Sequence, residues 1–185
     1  MAIFKFYQIF RSLKSELGEK AHEIFPEYKH LPDKMSPQDQ AALGKTIMDR
    51  MNEKLKKEDI LKIRHKHTCN ISKEQKAKID ELKALYDDLD LRCQAYSKFM
   101  APGYVKKTGS HIQVSFGLNK CVCSMYRKLD DYQLTTNTWC ECCNGHVIKM
   151  YSYLFDQSVG SKILETIVSG GKDCLFDLSI IKGDQ

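Results

Sequence analysis

The hydrophobic pattern of the chain changes its period near residue 101, and this change limits the folds that the sequence can adopt. Before Ala101-Pro102-Gly103, apolar residues recur every three or four positions, as on one face of a helix. After this point, residues 111–116 alternate between polar and apolar, as in a half-buried strand. The sequence therefore predicts an α+β protein, with a helical N-terminal region over residues 1–100 and a cysteine-rich α+β domain over residues 101–185.

The first predicted helix is strongly amphipathic and ends at Gly18, a residue that often terminates helices. Its apolar face needs a cover, either the core of the same chain or a second copy in a homodimer. The residues of this face are Ile3, Phe4, Phe6, Tyr7, Phe10, Leu13 and Leu17.

Two further helix starts are visible in the N-terminal half. Ser36-Pro37 places a capping hydroxyl before a proline, which predicts a long helix whose apolar stripe continues to Ile63. Ser72-Lys73-Glu74-Gln75 has the pattern of a capping box and predicts another helix through Leu91 or beyond.

The C-terminal half is predicted to form a small antiparallel sheet with a packed helix and a C-terminal β-hairpin. Ser169-Gly170-Gly171 supplies the turn of the hairpin. The return strand, the helix and the two hairpin strands are predicted at residues 120–126, 142–155, 162–168 and 174–180.

The net charge of +5 arises from 29 basic and 24 acidic residues, and a basic stretch runs over residues 54–78. Such a stretch can bind nucleic acid. Because acidic residues are interleaved with the basic ones, a solvated helix face explains it better, and no nucleic-acid binding is predicted.

The sequence also bears on location. No run approaches the roughly 18 apolar residues of a membrane span, and the N-terminus lacks the features of a secretory signal, so we expect a cytoplasmic protein that does not enter the membrane. In that reducing compartment, four disulfides are not expected from eight cysteines. Metal binding, redox chemistry or simple burial must then account for the cysteines.

Six of the eight cysteines cluster in the C-terminal half. On the predicted strand, Cys121 and Cys123 would point to the same side, and on the predicted helix, Cys142 and His146 would share a face. Both pairs can chelate a metal ion, and Zn²⁺ takes four such ligands. The six cysteines are Cys121, Cys123, Cys140, Cys142, Cys143 and Cys174.

Several alternatives to zinc are open. Cysteine is a common small hydrophobe in cores, which is the better explanation for Cys93. Enough thiolates are present for an iron–sulfur cluster. A nucleophilic Cys142 with His146 and Glu165 would give a thiol enzyme of hydrolase or reductase type. The segment His65-Lys66-His67-Thr68-Cys69 either completes a metal site or lies in a solvated linker.

Three motifs within residues 139–178 resemble the end of a 4-vinyl-reductase-like domain. They are Trp139-Cys140-Glu141-Cys142-Cys143-Asn144-Gly145-His146, Gly160-Ser161-Lys162-Ile163-Leu164-Glu165-Thr166 and Gly170-Gly171-Lys172-Asp173-Cys174-Leu175-Phe176. Members of that family bind hydrophobic small molecules with a small α+β unit. The chain is also similar to cysteine-rich bacterial proteins that have a helical N-terminal region.

The resemblance implies a particular zinc shell. In the phenol-sensing members of the family, cysteines and a glutamate hold zinc, and the matching residues here are Cys142, Glu165 and Cys174. Where those sensors place another cysteine, this chain has Val168. The missing ligand is expected from Cys121, Cys123, Cys140 or Cys69.

Together these observations predict a zinc-containing small-molecule-binding or sensory module with an apolar pocket. The alternatives are a cysteine- or metal-dependent enzyme and an iron–sulfur protein. The expected partner is an apolar small molecule. Its pocket is predicted to be lined by Phe116, Met125, Tyr126, Met150, Tyr151, Leu154 and Phe176.

Overall fold

A computed structural model describes residues 2–129, 134 and 136–181 of the protein. Short 3₁₀ helices at Gly18–Lys20, Pro26–His30, Thr138–Cys140 and Ile167–Ser169 connect longer elements. The α-helices are α1 (Ala2–Leu17), α2 (Ala21–Ile24), α3 (Pro37–Lys54), α4 (Lys57–His65), α5 (Lys73–Leu85), α6 (Leu89–Met100) and α7 (Glu141–Phe155).

The strands are β1 (Tyr104–Thr108), β2 (His111–Ser115), β3 (Val159–Glu165) and β4 (Leu175–Ile180). They form an antiparallel sheet in the order β1-β2-β4-β3. A helical N-terminal half is thus followed by a sheet, a helix and a C-terminal hairpin, which confirms the predicted α+β class.

Both predicted helix caps are confirmed. The Ser36 hydroxyl accepts a hydrogen bond from the backbone N–H of Asp39 at 3.1 Å, and α3 begins directly after it. The Ser72 hydroxyl accepts from the N–H of Gln75, whose side chain accepts from the N–H of Ser72 in return. These reciprocal bonds pair N–H groups that the helix itself leaves unpaired.

The single long helix predicted from Ser36 to Ile63 is wrong, because the chain is extended at Leu55 and Lys56 between α3 and α4. Met51 and Ile60 are nine positions apart, which is about two and a half helical turns and would place them on opposite sides of one helix. Both side chains are buried. The break allows each short helix to bury its own apolar face.

The helix predicted through Leu91 also ends early, at Leu85. Asp88 begins α6 as its N-cap and accepts a hydrogen bond from the N–H of Leu91 at 2.9 Å. The buried residues of α6 include Cys93, as the sequence predicted.

The return strand predicted at residues 120–126 is also wrong, since this segment is irregular and passes into a turn. The reason lies in the partners of β2. One edge of β2 pairs with the unpredicted strand β1, and the other pairs with β4, so that both of its edges are occupied.

The chain forms two compact units. Within the described residues, the first comprises 2–68, 120–129, 134, 136–142 and 168–170, and the second comprises 69–119, 143–167 and 171–181. Each unit therefore takes segments from both sides of residue 101.

The second unit has a core between one face of the sheet and helices α5, α6 and α7. Cross-strand neighbours Val105, Val114 and Phe176 lie on the same sheet face and are buried. The alternate residues of these strands face the other side, as the two-residue period of a strand requires.

The first unit buries the face of α1 formed by Phe6, Ile9, Phe10 and Leu13. The Phe10 ring stacks on that of Tyr28 with centroids 3.6 Å apart. Phe4, which the sequence placed on the buried face, is 60% exposed. A homodimer through α1 stays a prediction. In the described part of the chain, no helix has the length and apolar character needed to cross a bilayer.

Candidate functional site

The predicted zinc ligands divide between the two units. Cys121, Cys123, Cys140 and Cys142, which form two Cys-x-Cys motifs, belong to the first unit. Glu165 and Cys174 belong to the second unit, and each set is described below on its own.

The first Cys-x-Cys motif lies in an irregular segment that leads into a turn. The backbone N–H groups of Tyr126 and Arg127 donate to the carbonyl of Cys123 at 2.9 and 2.8 Å. Val122 is 62% exposed, whereas Cys121 and Cys123 are half-buried. The two cysteines are thus less exposed than the residue between them, although the segment is not the predicted strand.

An ammonium group lies beside one of these thiols. Lys5 on α1 donates a hydrogen bond from Nζ to Cys123 Sγ, with the two atoms 3.6 Å apart. Lys5 thus places a cation beside Cys123, and the thiolate is the form of cysteine that binds metals and attacks electrophiles.

The second Cys-x-Cys motif lies where the 3₁₀ helix Thr138–Cys140 passes into α7. Both Cys140 and Cys142 are buried. Between them, the Glu141 carboxylate lies 3.2 Å from the Nε2 atom of His65 on α4. The two thiols are thus held inside the first unit by the start of a regular helix.

A small cavity of about 20 Å³ lies beside Cys142, which is room for about one water molecule. Its described lining contains two permanent cations and no acidic side chain. The lining residues are Lys5, Gln8, Ile9, Arg64, His67, Trp139 and Cys142.

Arg64 brings the more deeply buried of these cations to the cavity. Its side chain donates to the carbonyl oxygens of Thr138 at 3.2 Å and Trp139 at 2.8 Å. The guanidinium carbon also lies 4.8 Å from the centroid of the Trp139 ring. Arg64 therefore fixes the backbone that leads into Cys140 and Cys142.

His67 is held in its neutral form. Burial lowers the pKa of His67, and the charges of Arg64 and Lys66 lower it further, while a hydrogen bond to the backbone of Gln8 acts in the opposite direction. Its Nε2 atom forms a short hydrogen bond with the Ser12 hydroxyl. His67 lines the same cavity as Cys142.

These residues fit zinc in their chemistry, because thiolates are soft donors of the kind that zinc binds. Among residues 2–129, 134 and 136–181, however, no group of three or more His, Cys, Asp or Glu side chains is arranged to hold a metal ion. Of the sequence-predicted ligands, Cys121, Cys123, Cys140 and Cys142 share the first unit, but they do not form a completed metal shell.

Glu165 in the second unit stabilises the turn of the hairpin. Its Oε1 atom accepts hydrogen bonds from the backbone N–H groups of Lys172 and Asp173, the second at 3.2 Å. Cys174 is half-buried and follows this turn directly. The place of Glu165 and Cys174 in a zinc shell stays a prediction.

Asp173, which the sequence analysis did not single out, is a centre of hydrogen bonding in the same unit. Its carboxylate accepts from the Ser115 hydroxyl and from the backbone N–H groups of Gly117 at 3.1 Å, Leu118 at 3.0 Å and Cys174 at 2.7 Å. Partial burial alone would raise the pKa of Asp173, but these bonds outweigh it and lower the pKa.

We expect Asp173 to make the stability depend on pH. Because the pKa is lowered in the folded state, the stabilising contribution of the Asp173 carboxylate is complete above the pKa of the unfolded chain, about 3.9. This contribution is lost as the pH falls through the lower pKa of the folded protein. Asp173→Asn should lower the free energy of unfolding by about 2 kcal/mol at pH 7. The difference from wild type, measured by urea unfolding, should shrink toward pH 3. The control is Asp87→Asn, because Asp87 is an exposed acid in the same unit. A difference in the free energy of unfolding between Asp173→Asn and wild type that stays constant with pH would contradict this role of Asp173.

His146, the predicted partner of Cys142, has a different contact. Its Nδ1 atom lies 2.9 Å from the backbone carbonyl oxygen of Cys69, within the second unit. The imidazole that lines the cavity of Cys142 is instead His67.

The seven residues predicted to line an apolar pocket are packed in the interiors of the units. Met125 and Tyr126 are buried in the first unit, and Tyr126 meets the Trp139 ring edge-on with centroids 5.6 Å apart. In the second unit, Phe116 packs against a core that contains Met150, Tyr151, Leu154 and Phe176. Binding of an apolar molecule among these side chains stays a prediction.

The sequence analysis missed Lys5 and Arg64. Each has a visible signal, because Lys5 is a lone cation within the aromatic run Ile3-Phe4-Lys5-Phe6-Tyr7, and Arg64 directly follows the buried Ile63 of α4. A cation inside an apolar stripe usually has a buried partner.

Comparison with known proteins gives one result that covers nearly the whole chain. No curated protein matches it significantly. A family model described as "Family of unknown function (DUF6144)" matches residues 4–184. The chain therefore belongs to the DUF6144 family.

Proposed function

We propose that the first unit is a zinc-binding thiolate module, with Cys121, Cys123, Cys140 and Cys142 as the ligands. The observation that carries the proposal is the placement of cations beside the thiols. Lys5 donates to Cys123 Sγ, and Lys5 and Arg64 both line the cavity of Cys142.

The charges support this choice. Four thiolates and one Zn²⁺ ion carry a net charge of about −2, which is costly to bury without compensation. Lys5 and Arg64 offer two positive charges beside these cysteines. Zinc binds cysteines as thiolates, so these cations would offset the negative charge of the ligands once the metal is bound.

Bound zinc would supply a cross-link between the irregular 120–123 segment and the start of α7. The protein's own residues provide the ligands, the compensating charge and the buried surroundings. The resemblance of residues 139–178 to a 4-vinyl-reductase-like domain also implies Cys142 as a ligand, together with Glu165 and Cys174, which this proposal leaves out. The proposal places the protein in the cytoplasm, where thiols stay reduced.

The test is the zinc content of protein purified without oxygen. Wild type should hold about one zinc per chain, and Cys123→Ser and Cys142→Ser should each lose most of it and lower the melting temperature by about 5 °C or more. Cys93→Ser is the matched control, because burial raises the pKa of Cys93 to about 11 and keeps it a thiol in the second unit. Zinc-free wild type, or full zinc content in both site variants, would sink the proposal.

A second candidate is a reactive thiol at Cys142 that works without metal. It is favoured by the position of His67 in the same cavity, since an imidazole that releases its hydrogen bond to Ser12 can take the proton of the thiol. The purified protein separates the two functions. A metal-free wild type whose Cys142 is alkylated faster than its other cysteines at neutral pH, with the rate reduced in His67→Gln, would replace the zinc module by thiol chemistry.

A further inference from the structure

We propose that the second unit binds a small organic anion in the groove between α6 and the outer face of the β1–β2 hairpin. The groove has a volume of about 740 Å³, within the range of ligand sites. Its lining residues, Gln94, Ser97, Lys98, Ala101, Gly103, Tyr104, Val105, Lys106 and Gln113, all belong to this unit, so the site is independent of the proposed zinc module.

One wall of the groove is a continuous stripe of α6 and the residue that follows it. Gln94, Ser97, Lys98 and Ala101 have the spacing of residues that lie above one another on a helix. The adjacent face of α6 buries Cys93 and Tyr96. The stripe is thus presented to the groove by a helix that is anchored in the core.

The other wall is the outer face of the hairpin. Lys106 on β1 lies directly opposite Gln113 on β2, and Tyr104 lies on the same face two residues before Lys106. The Tyr104 hydroxyl donates to Oε1 of Gln113 at 3.0 Å. This bond fixes the amide of Gln113 and leaves its NH₂ group, a donor, for a ligand.

The charge of the groove selects an anion. Its described lining includes Lys98 and Lys106 and no acidic residue. Neither lysine forms an ion pair within the described residues, whereas the neighbouring Lys107 is paired with Asp90 at 2.8 Å. On the outer sheet face, Asp177 lies opposite Gln113, and the Nδ1 atom of His111 is 3.4 Å from its carboxylate.

The shape of the groove adds a second requirement. Tyr104 and Ala101 provide apolar surface between the polar groups. A flat hydrocarbon body with one carboxylate or phosphate would cover this surface and place its anion between the two lysines. The two anions share this chemistry, and the experiment distinguishes them.

The probes are 1-naphthoate, 1-naphthyl phosphate and the neutral 1-naphthamide, titrated into the full-length protein and followed by amide resonances in two-dimensional NMR. We expect at least one anion to saturate below about 1 mM and to shift the Gly103 amide and the Gln113 side-chain NH₂ signals, with the amide probe about tenfold weaker. Preference for naphthoate or for the phosphate identifies the natural anion class.

Lys98→Ala with Lys106→Ala should weaken anion binding about tenfold while leaving the spectrum dispersed. The control is Lys73→Ala with Lys149→Ala, which removes the same charge from exposed positions of the same unit and should change binding less than about twofold. No saturable shifts in wild type, equal binding of the neutral probe, or an equal loss in the control variant would overturn the proposal.

Discussion

Replacing Arg64 by leucine should lower the free energy of unfolding by about 3 kcal/mol. Arg64 is only 2% exposed and donates to the carbonyl oxygens of Thr138 and Trp139. Leucine fills much of the same space but donates no hydrogen bond. The carbonyl groups of Thr138 and Trp139 therefore lose their charged hydrogen-bond donor in a buried environment. The stacking of the guanidinium on Trp139 is lost as well.

Two comparisons sharpen this prediction in urea unfolding experiments. Arg64→Lys should fall between wild type and Arg64→Leu, because one ammonium group cannot reproduce the planar fork of arginine. Arg50→Leu is the control, since Arg50 is 28% exposed and bonds to Glu27 and to the Ile24 carbonyl, and it should lose only about 1 kcal/mol. A loss at Arg64 no larger than that at Arg50 would show that the carbonyl contacts contribute little.

Gly117→Ala should lower the free energy of unfolding by about 3 kcal/mol or more. Gly117 has a φ of +65°, and a Cβ atom added there would lie 2.2 Å from the backbone nitrogen of Gly103 and 2.4 Å from the carbonyl carbon of Pro102. Backbone atoms cannot move aside as the end of a side chain can. The 103 and 117 segments must then separate, which would disturb the chain on both sides of the β1–β2 hairpin.

Gly109 supplies a matched control in the same unit. Its φ of +61° is nearly the same, but an added Cβ atom would meet no heavy atom within 4 Å. Gly109→Ala should therefore lower the free energy of unfolding by only about 1 kcal/mol, which is the cost of placing an alanine at a positive φ. The difference between the free energies of unfolding of the two variants then measures the cost of the steric clash at Gly117. Equal losses would mean that the close approach of Gly117 to residues 102 and 103 is not maintained in solution.

The sequence revealed much of the local structure because local signals determine it. The caps at Ser36 and Ser72 depend on side chains that bond to backbone N–H groups three residues away. The break between α3 and α4 was also readable in principle, since Met51 and Ile60 cannot share a helix face. The missed return strand is different, because β2 pairs with the distant β4, and no local pattern identifies a distant partner.

The candidate site shows the same division. The two Cys-x-Cys motifs are visible as spacing, and Cys140 and Cys142 of the second motif are buried. The cations that lie beside these cysteines come from α1 and α4, far away along the chain. Tertiary packing creates that proximity, so the sequence alone could name the thiols and leave their electrostatic surroundings open.

The strand order has a consequence for how the sheet assembles during synthesis. β1 and β2 are joined by a short turn and can pair as soon as both are made, since local contacts form early. β3 has no partner in the sheet until β4 is made, because β4 lies between β2 and β3. The chain must therefore emerge from the ribosome as far as Ile180 before β4, the inner strand, can complete the sheet. Until then the inner edge of β2 and the apolar residues of β3 are exposed, and this interval is when a nascent chain of this fold most needs a chaperone.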